Sequence, residues 1–336
     1  MNTNTLERFD FGGPTQWALV RGQSRQSPVM LLVQQGPGAP IINDAAEMQR
    51  LLHLEENFRV VYWDQRGTGK SFDAKDRAPI ARETAVGDVR AMVRALCQRL
   101  GVAQIDVVGF SFGASLALLA CADETLPIRS LTCVATDVNL LAAERSAYAF
   151  ALVEAERRGH KRALRALRAI GEPPHAETKR FLARVKWVAT FGGVHRGKTF
   201  NGLTRTNVAR LWKSPHYNLR EMIGALRGFE SATARLLPAY QGLDLLAEPL
   251  RIRPPVAIFQ GRQDRVVPPD LAVELAARLG VDVVWFDESA HMPQEEEPIR
   301  FRQELLRFVS TAGQRGAGHD RPPDFENAMH AWPGER

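Results

Sequence analysis

Short uninterrupted apolar runs alternate with longer stretches in which apolar positions recur every three or four residues. Val29 to Val33, Phe58 to Trp63, Ile105 to Phe110 and Ile128 to Ala135 are rich in β-branched residues. That is the pattern of strands buried on both faces of a mostly parallel sheet. Between them, Thr84 to Leu100 carries Val86, Val89, Val93, Leu96 and Leu100 at helical spacing, with Gly101 placed as a C-cap. After residue 135 the strand pattern stops for about a hundred residues, and helical stretches such as Ala143 to Ile170 and Leu219 to Leu237 replace it. Pro255 to Gln260 and Val281 to Phe286 then read as strands, and Pro269 to Leu279 and Pro298 to Val309 as helices. The expected architecture is therefore an α/β core, residues 1–135 and 249–311, interrupted by a helical lobe, residues 136–248. Residues 312–336 are rich in Gly, Pro and charge without periodicity and are expected to be a disordered tail.

Composition narrows the class without naming a function. With 45% hydrophobic and 24% charged residues the chain reads as a soluble globular protein, and no apolar run is long enough to span a bilayer. The first residues carry neither a basic n-region nor an apolar h-region, so a cytoplasmic location is expected. Three widely spaced cysteines, Cys97, Cys121 and Cys133, suit neither a disulfide framework nor a zinc site. The net charge of +6 is unevenly distributed: residues 141–245 hold 19 Lys and Arg against 8 Asp and Glu, a local +11 that leaves −5 for the rest. The Arg-rich stretch 157–168 carries Leu164 and Leu167, with Ile170 beyond it, on one helical face, the pattern of an amphipathic helix rather than of a nucleic-acid contact. No nucleic-acid partner is expected, and no membrane role.

The chemistry is concentrated at three loops that follow strands. Gly109-Phe110-Ser111-Phe112-Gly113 fits the nucleophile-elbow pattern G-x-S-x-G, with an apolar strand before it and the apolar helix Ala114 to Ala122 after it. A serine hydroxyl is a weak nucleophile until a base takes its proton and backbone donors stabilise the oxyanion. His291 lies in a polar loop after the strand Val281 to Phe286, and Asp264 directly follows the strand Pro255 to Gln260. The chain order Ser111, Asp264, His291 is that of a nucleophile, an orienting acid and a general base. Oxyanion donors are expected at Phe112 and in the turn Gln34-Gln35-Gly36-Pro37-Gly38. Neither a dinucleotide-binding glycine pattern nor a Walker A motif is present.

With these motifs the chain resembles the proline iminopeptidase-like branch of the α/β hydrolases. Gln34-Gln35-Gly36-Pro37-Gly38 is similar to that family's H-G-G-P-G, and Asp64-Gln65-Arg66-Gly67-Thr68-Gly69-Lys70-Ser71 to its D-Q-R-G-x-G-x-S. The resemblance implies an α/β-hydrolase fold with a helical cap and a cofactor-free, metal-free serine hydrolase. By resemblance Gly36 and Phe112 donate to the oxyanion, and Asp64 to Ser71 form a structural turn near the site. The implied substrate is a small molecule or short peptide with N-terminal proline; ester or lactone hydrolysis and non-catalytic ligand binding are the alternatives. Gln34 and Gln35 stand where the family has His and Gly, which makes Gln35 a candidate for the pocket floor. The basic lobe lacks an obvious match to the tryptophan and glutamate motif that holds a substrate's free amine in these aminopeptidases. Glu221 and Glu230 are the lobe carboxylates expected to reach the pocket.

Overall fold

The structure is a computed structural model that describes residues 3–316. Eight strands, β1 (Thr3–Phe9), β2 (Gln16–Gly22), β3 (Val29–Val33), β4 (Arg59–Asp64), β5 (Ile105–Phe110), β6 (Ile128–Val134), β7 (Val256–Gly261) and β8 (Val283–Phe286), form one sheet in the order β1-β2-β4-β3-β5-β6-β7-β8. β2 pairs antiparallel with β1 and β4, and all other neighbours are parallel. The strands expected from apolar runs are all present, whereas β1 and β2 were not anticipated. β1 has only Leu6 and Phe9 as apolar positions and lies at the sheet edge.

The helices are α1 (Ala45–Leu52), α2 (Arg82–Leu100), α3 (Phe112–Ala120), α4 (Leu140–Arg157), α5 (Lys161–Ile170), α6 (Thr178–Thr190), α7 (Phe200–Lys213), α8 (Leu219–Tyr240), α9 (Pro269–Leu279), α10 (Pro293–Glu296) and α11 (Pro298–Gly316). Helices α2, α3 and α9 bury their apolar stripes against one face of the sheet, and α1 and α11 against the other. Alternate strand residues divide accordingly: Leu31 and Val33 join the first core, Met30 and Leu32 the second. Gly101 ends α2 in the left-handed conformation, as its C-cap position requires.

Helices α4 to α8 all lie between β6 and β7 in the chain. The stretch Ala143 to Ile170 is two helices rather than one, broken at Gly159 with φ of 59°. Leu167 is buried, and Leu164 and Ile170 are packed against a small core shared by α4, α5 and α6. At the C-terminal end, helix α11 continues to Gly316 with Ala312 buried, so residues 312–316 are helical and not part of a tail. The rest of the expected tail, 317–336, lies outside the described residues. No helix among the described residues is long and apolar enough to cross a membrane.

The strand order reverses beside β3, whose two neighbours are β4 and β5. Loops leaving β3 and β5 therefore diverge there and open a crevice at the carboxyl edge of the sheet. The start of α3 is wedged against the end of β3: a Cβ on Gly113 would stand 2.3 Å from the carbonyl oxygen of Gln34 and 2.4 Å from that of Val33. Both obstacles are backbone, so Gly113→Ala forces them apart. The expected cost is about 1–3 kcal/mol of stability, read as a lower urea midpoint, and an unchanged midpoint would refute this packing constraint.

Candidate active site

The turn from β5 into α3 reverses the chain so tightly that Ser111 takes φ of 52° and ψ of −122°. A non-glycine residue at positive φ carries strain, about 1–3 kcal/mol, which persists only where its surroundings enforce it. Here the Ser111 amide donates to Val134 O at 2.8 Å and Ala114 N donates back to Ser111 O at 2.9 Å. Close packing completes the restraint, since a Cβ on Gly109 would lie 2.5 Å from Ala114 Cα. The two glycines of the motif are thus needed on opposite sides of one turn, and the serine stands at the sheet edge with its hydroxyl facing a cavity.

Asp264 and His291 are brought together by the exits of β7 and β8. A Cβ on Gly261 would sit 1.9 Å from Ala290 O, and Gln263 N donates to Ser289 O at 2.9 Å. His291 Nδ1 lies 2.8 Å from Asp264 Oδ2, while Asp264 Oδ1 accepts from the amides of Val266 at 2.8 Å and Val267 at 3.0 Å. With both carboxylate oxygens occupied, Asp264 cannot rotate, and it holds the ring by Nδ1. Burial is the largest influence on the His291 pKa and pulls it down. The charge and hydrogen bond of Asp264, helped by Asp137 and Glu296, outweigh burial and raise the value above the usual 6.5.

The loop after β3 lies against the same turn. A Cβ on Gly36 would be 3.5 Å from the Phe112 ring, so the two expected oxyanion donors are neighbours. Buried Gln34 ties this loop down: its Oε1 accepts from Gln65 N at 3.1 Å and its Nε2 donates to Thr68 Oγ1 at 3.1 Å. Asp64 is the hub of the D-Q-R-G turn. Its Oδ1 accepts from Ile41 N at 2.8 Å and Ile42 N at 3.0 Å, and its Oδ2 from Lys70 N at 2.8 Å and from the Tyr217 hydroxyl. The motif thus braces the loop between the oxyanion turn and α1.

Ser111, His291, Gly36 and Gln35 all line one cavity of about 440 Å³, walled largely by apolar side chains of the inserted helices such as Phe181, Val185, Leu203 and Phe229. The expected lobe carboxylates are elsewhere. Glu221 pairs with Lys70 at 2.6 Å and forms a capping box with Asn218 at the start of α8; Glu230 is exposed on the same helix. Neither belongs to the cavity wall. The Asn218-x-x-Glu221 spacing is itself the sequence signature of a helix start, a signal that assigns Glu221 to the helix rather than to a ligand.

A residue that sequence reasoning passed over faces the serine. Asp137, two residues into the loop that Ala135 and Thr136 open after β6, accepts the Ser111 hydroxyl on Oδ2 at 3.0 Å. The Tyr240 hydroxyl is its other side-chain partner, and burial pushes the Asp137 carboxyl pKa up against these hydrogen bonds. Its position after a core strand is the same clue that singled out Asp264 and His291, but residue 137 had been assigned to the lobe.

With the fold and this geometry in place, the family can be stated: residues 28–298 match the family described as alpha/beta hydrolase fold, and the chain belongs to it. The chain is 24% identical over 312 residues to a probable aminopeptidase, YbaC, of Bacillus subtilis, covering 90% of this chain and 96% of that protein. Among solved structures it is similar to a proline iminopeptidase-related protein from Thermus thermophilus, with TM-score 0.61, 20% identity and coverage of 92% of this chain and 98% of that one. An esterase from Exiguobacterium antarcticum is also similar, with TM-score 0.55, 18% identity and coverage of 92% and 99%. The fold is thus shared by proteins named for different substrates.

A general base must be neutral to accept a proton, so with His291 in that expected role kcat/KM should rise with pH as it deprotonates. Because neighbouring carboxylates raise its pKa, the midpoint of that rise is expected above 6.5. Asp264→Asn removes the main stabilising charge and should move the midpoint down. A pH profile whose midpoint is the same in both proteins would contradict this electrostatic assignment.

Proposed function

We propose that this protein is a cofactor-free serine hydrolase that works through an acyl-enzyme and releases N-terminal proline from short peptides. The observation that carries the reading is the Asp264–His291 pair opening into the same cavity as a serine on a positive-φ turn. Residues 136–248 act in this reading as the cap over a core formed by 1–135 and 249–311.

Each group has one task. The Ser111 hydroxyl turns from Asp137 to His291, which takes its proton as the oxygen attacks the scissile carbonyl. The amides of Gly36 and Phe112 receive the oxyanion, and their placement on a braced loop and at the first turn of α3 means that little reorganisation is needed as charge develops. Asp264 steadies the imidazolium and keeps its Nε2 proton aimed at the leaving amine. Water then repeats the sequence on the acyl-enzyme, with His291 again as base. Gln35 contributes to the cavity floor beside the oxyanion turn.

A second reading, hydrolysis of carboxylic esters or lactones, is favoured by the apolar walls of the cavity, which suit a neutral acyl chain. The two are separated by kcat/KM for a prolyl arylamide and for a neutral short-chain aryl ester. Prolyl turnover that disappears on N-acetylation supports the peptidase, whereas an ester preference that survives N-acylation of the prolyl substrate excludes it. In either case Ser111→Ala and His291→Ala should each cost about 10⁴-fold or more in kcat, with Asp264→Asn retaining somewhat more. Undiminished turnover in Ser111→Ala would overturn the serine mechanism.

A further inference from the structure

Three carboxylates line the cavity: Asp44, Asp137 and Glu295. Two of them already have a cation within ion-pair distance. Arg210 Nη1 lies 2.8 Å from Glu295 and 3.6 Å from Asp44, and Lys198 Nζ lies 2.7 Å from Glu295. Arg184, also on the cavity wall, is held by Glu144 at 2.8 Å in a buried pair. Asp137 is the exception. It is 4% exposed, and among the described residues no Lys, Arg or His forms an ion pair with it; its partners are the hydroxyls of Ser111 and Tyr240. Its backbone is fixed on both sides, since Ser115 Oγ donates to Asp137 O at 2.7 Å and Leu245 N to Val138 O at 2.7 Å.

We propose that Asp137 is the anchor for the substrate's α-ammonium group, so that the enzyme selects acyl groups carrying a free α-amine. The inference rests on the reading of Ser111 as nucleophile. In an α-amino acyl group the nitrogen is two bonds from the carbonyl carbon, about 2.5 Å away. A carbonyl seated on Ser111 Oγ therefore places its ammonium beside a carboxylate whose Oδ2 is only 3.0 Å from that oxygen. A buried carboxylate with no ion-pair partner, compensated by two hydroxyls and by His291 only through space, gains both charge and donors from an ammonium. A neutral N-acyl group supplies neither. The arriving ammonium also competes with the Ser111 hydroxyl for Oδ2, which frees that hydroxyl for His291.

This assignment resolves the conflict between a basic set of inserted helices and a cationic substrate. The recognising charge comes from the loop after β6, beside Ser111, and not from the helices whose basic side chains dominate the count. Because Asp137 reads the ammonium and not the ring, other α-amino acyl groups of similar size should share the site with proline.

The test is binding without turnover. In Ser111→Ala, calorimetry compares prolyl anilide with N-acetylprolyl anilide, with and without Asp137→Asn. The expected result is a preference for the free amine that falls roughly 100-fold when Asp137→Asn is added. A preference that survives Asp137→Asn, or an Ser111→Ala protein that binds both anilides equally, would overturn the proposal. In the Ser111-containing protein the ratio of kcat/KM for prolyl anilide to that for a neutral aryl ester should fall by a similar factor in Asp137→Asn. Asp264→Asn should lower both rates and leave the ratio in place. Equal losses on both substrates in Asp137→Asn would assign Asp137 a structural role instead, and matched thermal midpoints exclude misfolding as the cause. Failure of the serine mechanism shows separately, as turnover that persists in Ser111→Ala.

Discussion

The backbone reversal between β5 and α3 is the constraint on which the site depends. Ser111 can hold positive φ only because Gly109 and Gly113 let three backbone segments meet where any side chain would intrude: the end of β5, the start of α3 and the exit of β3. That contact does more than expose a hydroxyl. It puts the Phe112 amide, at the first turn of α3, next to the Gly36 turn, so the Ser111 hydroxyl and the two amides proposed to receive an oxyanion are positioned by one packing event. The D-Q-R-G turn then secures the second half through Gln34 and Asp64, and Lys70 extends the brace to α8. Strain at the serine is tolerated because so many independent contacts over-determine it.

Much of the core was legible because its chemistry is local. Buried parallel strands announce themselves as β-branched runs, and Ser111, Asp264 and His291 each follow such a run. The edge strand β1 was not legible, since a strand with few buried positions has little apolar pattern to show; β2, paired on both sides and mostly buried, carries only the short apolar run Trp17 to Val20 between polar residues. Helices α6 and α7 were missed in the basic stretch, where only a few positions, such as Phe181, Trp187 and Leu211, are buried. Glu221 was misplaced for a different reason. Its charge suggested a ligand, but its position three residues after Asn218 commits it to a capping box, and Lys70, 151 residues away, completes its pairing. Long-range pairing of that kind leaves no trace in spacing.

Charge illustrates the same limit. The excess of Arg and Lys in residues 141–245 is real, yet several of these side chains are committed one by one: Arg184 to Glu144, Arg157 and Arg158 to Glu154, Arg196 to Glu288, and Arg210 and Lys198 to Glu295. What matters beside Ser111 is the nearest carboxylate without an ion-pair partner, and that carboxylate is Asp137. A count over a hundred residues could not reveal it, because one carboxylate 3.0 Å from Ser111 Oγ outweighs a distributed positive surface screened by solvent.

The central claim is that Ser111 is the covalent nucleophile activated by His291. It is tested most directly by treating the protein with a fluorophosphonate and locating the adduct by peptide mass spectrometry. The account predicts a single phosphonylated residue, Ser111, with labelling abolished in Ser111→Ala and strongly slowed in His291→Ala. Modification at another residue, or labelling that persists unchanged in Ser111→Ala, would contradict it.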